Sequence, residues 1–229
     1  MSKTIAHIVT NLDHYADHPD EPTGLWLSEL THAWDVFEEA GYRQILVSPA
    51  GGKVPLEPRS MKFPLLDAQA RRWLDNANNR ALLDNTLSPS EVSAEDIDAI
   101  YFTGGHATMY DFLDNDALHN LTREVFEAKK VVSSVCHGFC GLLNVTLSDG
   151  SPLLKGRHIT GFSWNEEILA GVSKIVPYNG PEEVKRRGAT YSKALIPFTP
   201  YVVQDSYLIT GQNPFSAKKT AQLVVRALR

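Results

Sequence analysis

The chain has 229 residues, 43% hydrophobic and 21% charged, with a formal net charge of −5. That balance supports a large core and excludes a disordered chain. The acidic balance, without a Lys/Arg cluster, argues against a nucleic-acid partner. No apolar run approaches the ~20 residues of a membrane-spanning helix. The start, MSKTIAHIVTN, lacks a charged-then-apolar signal with a cleavage site. Two cysteines are too few for a secreted disulfide scaffold. The expectation is a soluble, cytoplasmic protein with one domain over residues 1–229.

In chain order, residues 4–10 (TIAHIVT) predict a first strand, followed by an irregular acidic loop, NLDHYADHPDEPTG. Residues 25–41 predict a helix. Leu27, Leu30, Trp34 and Phe37 recur at three and four, and Gly41 stops the run. Residues 42–52 read as a strand ending in turn residues. The proline-rich stretch to about residue 66 reads as loop, and residues 67–86 as a polar helix. Residues 96–105 (DIDAIYFTGG) predict a strand running into paired glycines. Residues 116–130 predict a helix with Leu118, Leu121 and Val125 on one face. Residues 130–135 predict a strand, and GFCGLLNVTL opens the next helix. RHITGF, TYSKALI and YLITG read as further short strands. NPFSAKKTAQLVVRALR closes the chain as a helix, with Asn213 placed to cap and Pro214 at the first helical position. Strand–helix alternation predicts an α/β fold, a parallel sheet with helices on both faces. Ligands in such folds gather at the carboxyl ends of the strands. FTGGH and SVCHG both fall at such ends.

Cys136 lies between a strand and an expected helix, the setting of a nucleophile elbow. Such a turn exposes its side chain, and the following helix aims amides and dipole at the sulfur, favouring thiolate. A turn amide can also donate to an oxyanion, and Gly138 keeps the nearby backbone open. The pattern alone leaves a buried inert thiol, half a disulfide or a metal ligand as alternatives. Cys140, four residues on, reads as packing, with a redox partner as the minor alternative. His137 is a general base, an amide donor or a satisfied surface imidazole. Glu29 reads as a solvated helix position or as a carboxyl that tunes a thiol. His106 contacts substrate or caps the next helix. His14, His18, Asp17 and Asp20 suggest a metal site, but no ordered element fixes them. His7, His32, His119 and His158 read as structural.

TGLWLSELTHAWDVFEEAGY, FTGGHATMYDF, VCHGFCGLLNV, GRHITGFSWNEE and LITGQNPFSAKKTA resemble, in order and spacing, the ThiJ/PfpI superfamily. This is the class I glutamine-amidotransferase-like fold. The similarity covers nearly the whole chain and is greatest to the branch holding glyoxalase III and the heat-shock chaperone of that fold. It implies a flavodoxin-like three-layer sandwich, mostly parallel, in a homodimer. It implies Cys136 as nucleophile, His137 as its partner, Glu29 as the carboxyl bonded to the cysteine, and Gly105 as an oxyanion-hole amide. His106 is a further candidate for substrate contact. A third acidic residue falls at Glu167, with Glu166 as the fallback. The implied activity is glutathione-independent conversion of methylglyoxal and related 2-oxoaldehydes to 2-hydroxy acids, with no metal or organic cofactor. The alternatives are a deglycase, an amidase or peptidase, or a stress chaperone or redox sensor. Two departures touch the pocket wall. Phe139 and Cys140 stand where the family often has proline and alanine, and Ala107 where it often has glycine.

Overall fold

The structure, a computed structural model, is described over residues 2–229. Its first half comprises β1 (Thr4–Ile8), β2 (His14–Tyr15), β3 (His18–Pro22), α1 (Leu27–Glu39), β4 (Arg43–Val47), α2 (Ala68–Asp75), α3 (Ala77–Asp84) and β5 (Ala99–Phe102). Its second half comprises α4 (Thr108–Asp111), α5 (Asp116–Glu127), β6 (Val131–Val135), β7 (His158–Ile159) and α6 (Trp164–Leu169). These are followed by α7 (Gly180–Arg186), β8 (Thr190–Tyr191), β9 (Val202–Asp205), β10 (Leu208–Gly211) and α8 (Ala217–Ala227).

Six strands form one sheet in the order β4-β1-β5-β6-β10-β9. All neighbours are parallel except β10 and β9. Successive side chains alternate between the two faces. Ala99 and Tyr101 join a cluster with Phe37 of α1 and Ala221 and Val224 of α8. Ile100 and Phe102 join the other cluster, with Leu118, Leu121 and Val125 of α5. The sheet is thus covered on both sides, as expected. Burial on both faces is why β5 (AIYF) reads as an unbroken apolar run. β6 (VVSSV) is buried throughout as well, and its Ser133 hydroxyl donates to the Ile100 carbonyl. A third cluster, including Leu30, Trp34 and Trp73, seats α2 against α1.

Several local expectations change. The acidic loop after β1 contains the hairpin β2–β3. The polar helix of residues 67–86 is two helices, because Asn76 takes an extended backbone and its side chain caps α3. TYSKALI contributes only Thr190–Tyr191, and β9 is an additional antiparallel edge strand. The closing helix starts one turn late. Pro214–Ser216 form a 3-10 turn in which Asn213 and Ser216 cap each other reciprocally. The segment after Cys136 is not an α-helix but a 3-10 run, Cys136–Leu142. Gly138 and Gly141 press so close to Phe102 that a Cβ on either would lie 2.4 Å from it. The close approach and two glycines work against a regular helix, so the α-helix expected behind the sulfur is replaced by a seven-residue 3-10 run.

Candidate active site

The carboxyl ends of β5 and β6 are adjacent, with Phe102 opposite Ser134. Cys136 directly follows β6 with φ +56°, the left-handed region that a non-glycine side chain enters at a cost of about 1–3 kcal/mol. Tight packing holds it there. A Cβ on Gly104 would meet the His137 nitrogen at 2.8 Å and the Cys136 Cβ at 2.9 Å. The Phe162 N–H donates to the Cys136 carbonyl. Thr108 ties the two strand ends together, its hydroxyl donating to the carbonyls of Gly105 and His137. This is the elbow that the sequence context predicted, built on packing rather than on a helix dipole.

Cys136 Sγ lies 3.3 Å from His137 Nδ1. His137 Nε2 lies 2.5 Å from Glu167 Oε1. All three side chains are buried. Glu167 and Glu166 are adjacent on α6 and point to different partners. Both oxygens of Glu166 are occupied. One accepts from the Ser163 amide and hydroxyl, the other from the Phe198 amide and the Asn213 side chain. Glu166 therefore braces α6 to the loop before β9, and only Glu167 reaches His137.

The second oxygen of Glu167 lies 3.0 Å from His106 Nε2. Arg59 Nη2, which can only donate, points at His106 Nδ1 from 3.0 Å. This fixes the tautomer: His106 accepts at Nδ1 and donates from Nε2. Arg59 is anchored by Glu57, with Nε to Oε1 at 2.8 Å, and donates to the Tyr15 hydroxyl at 2.9 Å. Burial lowers His106 to about 4, helped by His137 at a ring separation of 4.2 Å, so its ring is neutral. Burial alone would raise Glu167, but His137 and His106 outweigh it and hold the carboxyl well below the usual range. An ionised Glu167 accepting from both rings leaves His137 Nδ1 facing the thiol as an acceptor.

Glu29 sits in the first turn of α1, fully buried. One oxygen accepts from the Gly104 amide at 2.8 Å, and the other is buried without a hydrogen-bond partner among the described residues. Burial raises its pKa to about 8. Burial and a charged Glu29 both push the Cys136 thiol up. A protonated Glu29 removes that repulsion and offers an O–H to the sulfur. The Gly105 N–H makes no hydrogen bond among the described residues. The His137 amide lies beside the sulfur.

A cavity of about 430 Å³ opens over Cys136 and His137. His106 and Arg59 also line it, with Trp26, Leu65, Phe162, Phe198 and Phe215. Phe162 lies over His137 with centroids 4.7 Å apart. Phe139 does not enter the cavity. Its ring packs in the core against Gly161 and Gly180, where a Cβ would lie 2.2 Å and 2.6 Å from it. Cys140 is equally buried, its thiol pushed up to about 12 by burial. Both cysteines are free. Arg59 and Tyr15 carry no sequence motif, and only their places in the fold reveal them; Phe162 lies within GRHITGFSWNEE but was not singled out.

Among the described residues, His106, His137 and Glu167 alone bring three potential metal-ligand atoms within 4.8 Å of one another. Those atoms already pair with each other, so an ion would have to break both histidine–carboxylate bonds. His14 and His18 lie on the exposed hairpin, where His14 pairs with Asp13.

The DJ-1/PfpI family model matches residues 23–227. The chain belongs to the DJ-1/PfpI family. It is 31% identical over 216 residues to the glutathione-independent glyoxalase HSP31 of Saccharomyces cerevisiae, covering 90% of each chain. The solved structure of Rapid Encystment Protein 24 kDa from Francisella tularensis superposes with a TM-score of 0.94 at 33% identity. It covers 99% of both chains. Glyoxalase III from Candida albicans superposes with a TM-score of 0.91 at 30% identity, covering 99% of this chain and 98% of that one. No helix among the described residues is long and apolar enough to cross a membrane.

Proposed function

We propose that this chain is a glutathione-independent glyoxalase that converts methylglyoxal and related 2-oxoaldehydes to 2-hydroxy acids with its own cysteine. The observation that carries this is the unbroken chain Cys136 Sγ–His137–Glu167 on a strained elbow at the floor of a cavity. Two relatives of matching length, one of them also matching in fold, bear glyoxalase names.

His137 Nδ1 takes the thiol proton, and the sulfur adds to the aldehyde carbon, giving a hemithioacetal. Amides of Gly105 and His137 stabilise the oxyanion. His137, held by Glu167, moves a proton from the former aldehyde carbon to its neighbour through an enediol. The product of that shift is a thioester of the 2-hydroxy acid. Water hydrolyses it, releasing the acid and restoring the thiol. Glu29 donates to the sulfur and keeps it seated. Each step uses groups that the chain itself supplies.

The test is proton NMR of methylglyoxal loss and lactate formation without glutathione. Wild type is expected to turn over, Cys136→Ala to fall to background, and Glu167→Gln to lose roughly 10²–10⁴-fold in kcat. Inert wild type whose Cys136 is still oxidised by peroxide sinks the proposal and favours a redox-sensing role. The implied assembly is a cytoplasmic homodimer. Sedimentation should then give twice the 25.4 kDa chain mass.

A further inference from the structure

The proposed chemistry needs only the floor of the cavity. Its volume of about 430 Å³ lies in the range of sites that take drug-sized ligands. Methylglyoxal carries a single methyl group beside its two carbonyls and leaves most of that space to water. The polar side chains are Cys136, His137, His106 and Arg59, and they are largely engaged with one another. The rest of the lining includes Trp26, Leu65, Phe162, Ala170, Phe198 and Phe215. Its one polar side-chain atom is Trp26 Nε1, buried and without a partner among the described residues. Arg59 is neutralised by Glu57 at 2.8 Å, so the cavity offers no net positive charge to an anionic substituent.

We infer that the cavity selects 2-oxoaldehydes bearing an apolar substituent of several carbons, alkyl or aryl, over methylglyoxal. This rests on the glyoxalase proposal and narrows its substrate class. Water against such walls finds few hydrogen-bond partners, and an apolar chain that displaces it gains the transfer free energy of the buried area. The aldehyde carbon reacts with Cys136 as before, far from the added carbons. The gain is therefore equal in ground and transition states, so it lowers KM and leaves kcat nearly constant.

The experiment measures initial rates of the wild-type enzyme over unbranched 2-oxoaldehydes, from methylglyoxal to the eight-carbon homologue. Lengthening the alkyl chain scarcely changes carbonyl reactivity, so the trend reports the cavity. The expected result is a rise in kcat/KM of roughly two- to fourfold per added methylene over the first additions, carried by KM. A flat or falling series, with methylglyoxal itself converted, overturns the inference and leaves the glyoxalase proposal standing. No turnover of any member removes the proposal as well. Phe215→Ser, at a half-exposed position, is expected to flatten the slope, as is Leu65→Ser. An unchanged slope in both variants shows that the selectivity arises elsewhere and overturns the assignment to this cavity.

Discussion

Glu29 and Glu167 are buried carboxyls beside the same elbow, and their surroundings push them apart. Glu29 meets one amide and a thiol and rises to about 8; Glu167 meets two imidazoles and stays ionised. One is an acid at neutral pH, the other the anion that orients His137. The fold therefore keeps on Glu29 a proton that the unfolded chain releases above about 4.5. The stability this gives is complete below that value and is lost as pH climbs toward 8, by about 2–5 kcal/mol. Urea midpoints between pH 5 and 8.5 should fall in wild type and fall less in Glu29→Gln. Some slope should persist in the variant, because burial also raises Asp111 to about 7. His106 positions Glu167 through one ring nitrogen and receives Arg59 at the other. His106→Phe should lower kcat about tenfold with KM little changed. His106→Gln, which can accept from Arg59 and donate to Glu167, should recover most of the loss. Equal loss in both variants would leave only a packing role. In the sequence, Cys136 and His137 stood out because they follow a strand end, whereas Glu29 read as a solvated helix position until the family resemblance assigned it to the cysteine. Glu167 and Glu166 were separable only by which face of a six-residue helix met His137. Arg59 was hidden, because a proline-rich loop has no period to show where a side chain points.

At the scale of elements, the elbow depends on strand ends that approach too closely for side chains. Gly105 has φ +123°, and a Cβ there would lie 2.0 Å from the Gly24 carbonyl. Gly105→Ala should destabilise by about 3 kcal/mol or more, lowering Tm by roughly 6–12 °C, with activity lost. Gly150 also has positive φ, but open space surrounds its Cβ position. Gly150→Ala should cost only about 1 kcal/mol. Comparing the two melting curves separates steric collision from backbone strain. The β5 strand was legible because AIYF is apolar on both faces, and β6 because valines flank its two buried serines. The β9 strand was not, since a short edge strand with Gln204 and Asp205 lacks the alternation that marks a half-buried one. The hairpin β2–β3 escaped for a similar reason: its second strand, HPDEP, is exposed throughout and carries charge and proline. The missing α-helix after Cys136 follows from contacts with Phe102, which lies more than thirty positions earlier in the chain.

Across the whole molecule, the first and last parts of the chain share one core. Ile5 of β1 and Phe37 of α1 cluster with Ala221 and Val224 of α8. We propose that residues 1–229 fold as one cooperative domain. Urea unfolding followed by far-UV circular dichroism and by tryptophan fluorescence should then give coincident single transitions. Separate midpoints would show two units. The Cys136 turn stands on strand ends in the middle of the six-stranded sheet, while Leu65, Phe198 and Phe215 of the cavity lining belong to connections outside it. On the proposed function, reactivity and selectivity are carried by different parts of the architecture. Substitutions in those outer connections can change which aldehydes are accepted while the reacting groups keep their geometry. A lineage, or an engineer, can retarget such a molecule without rebuilding its chemistry.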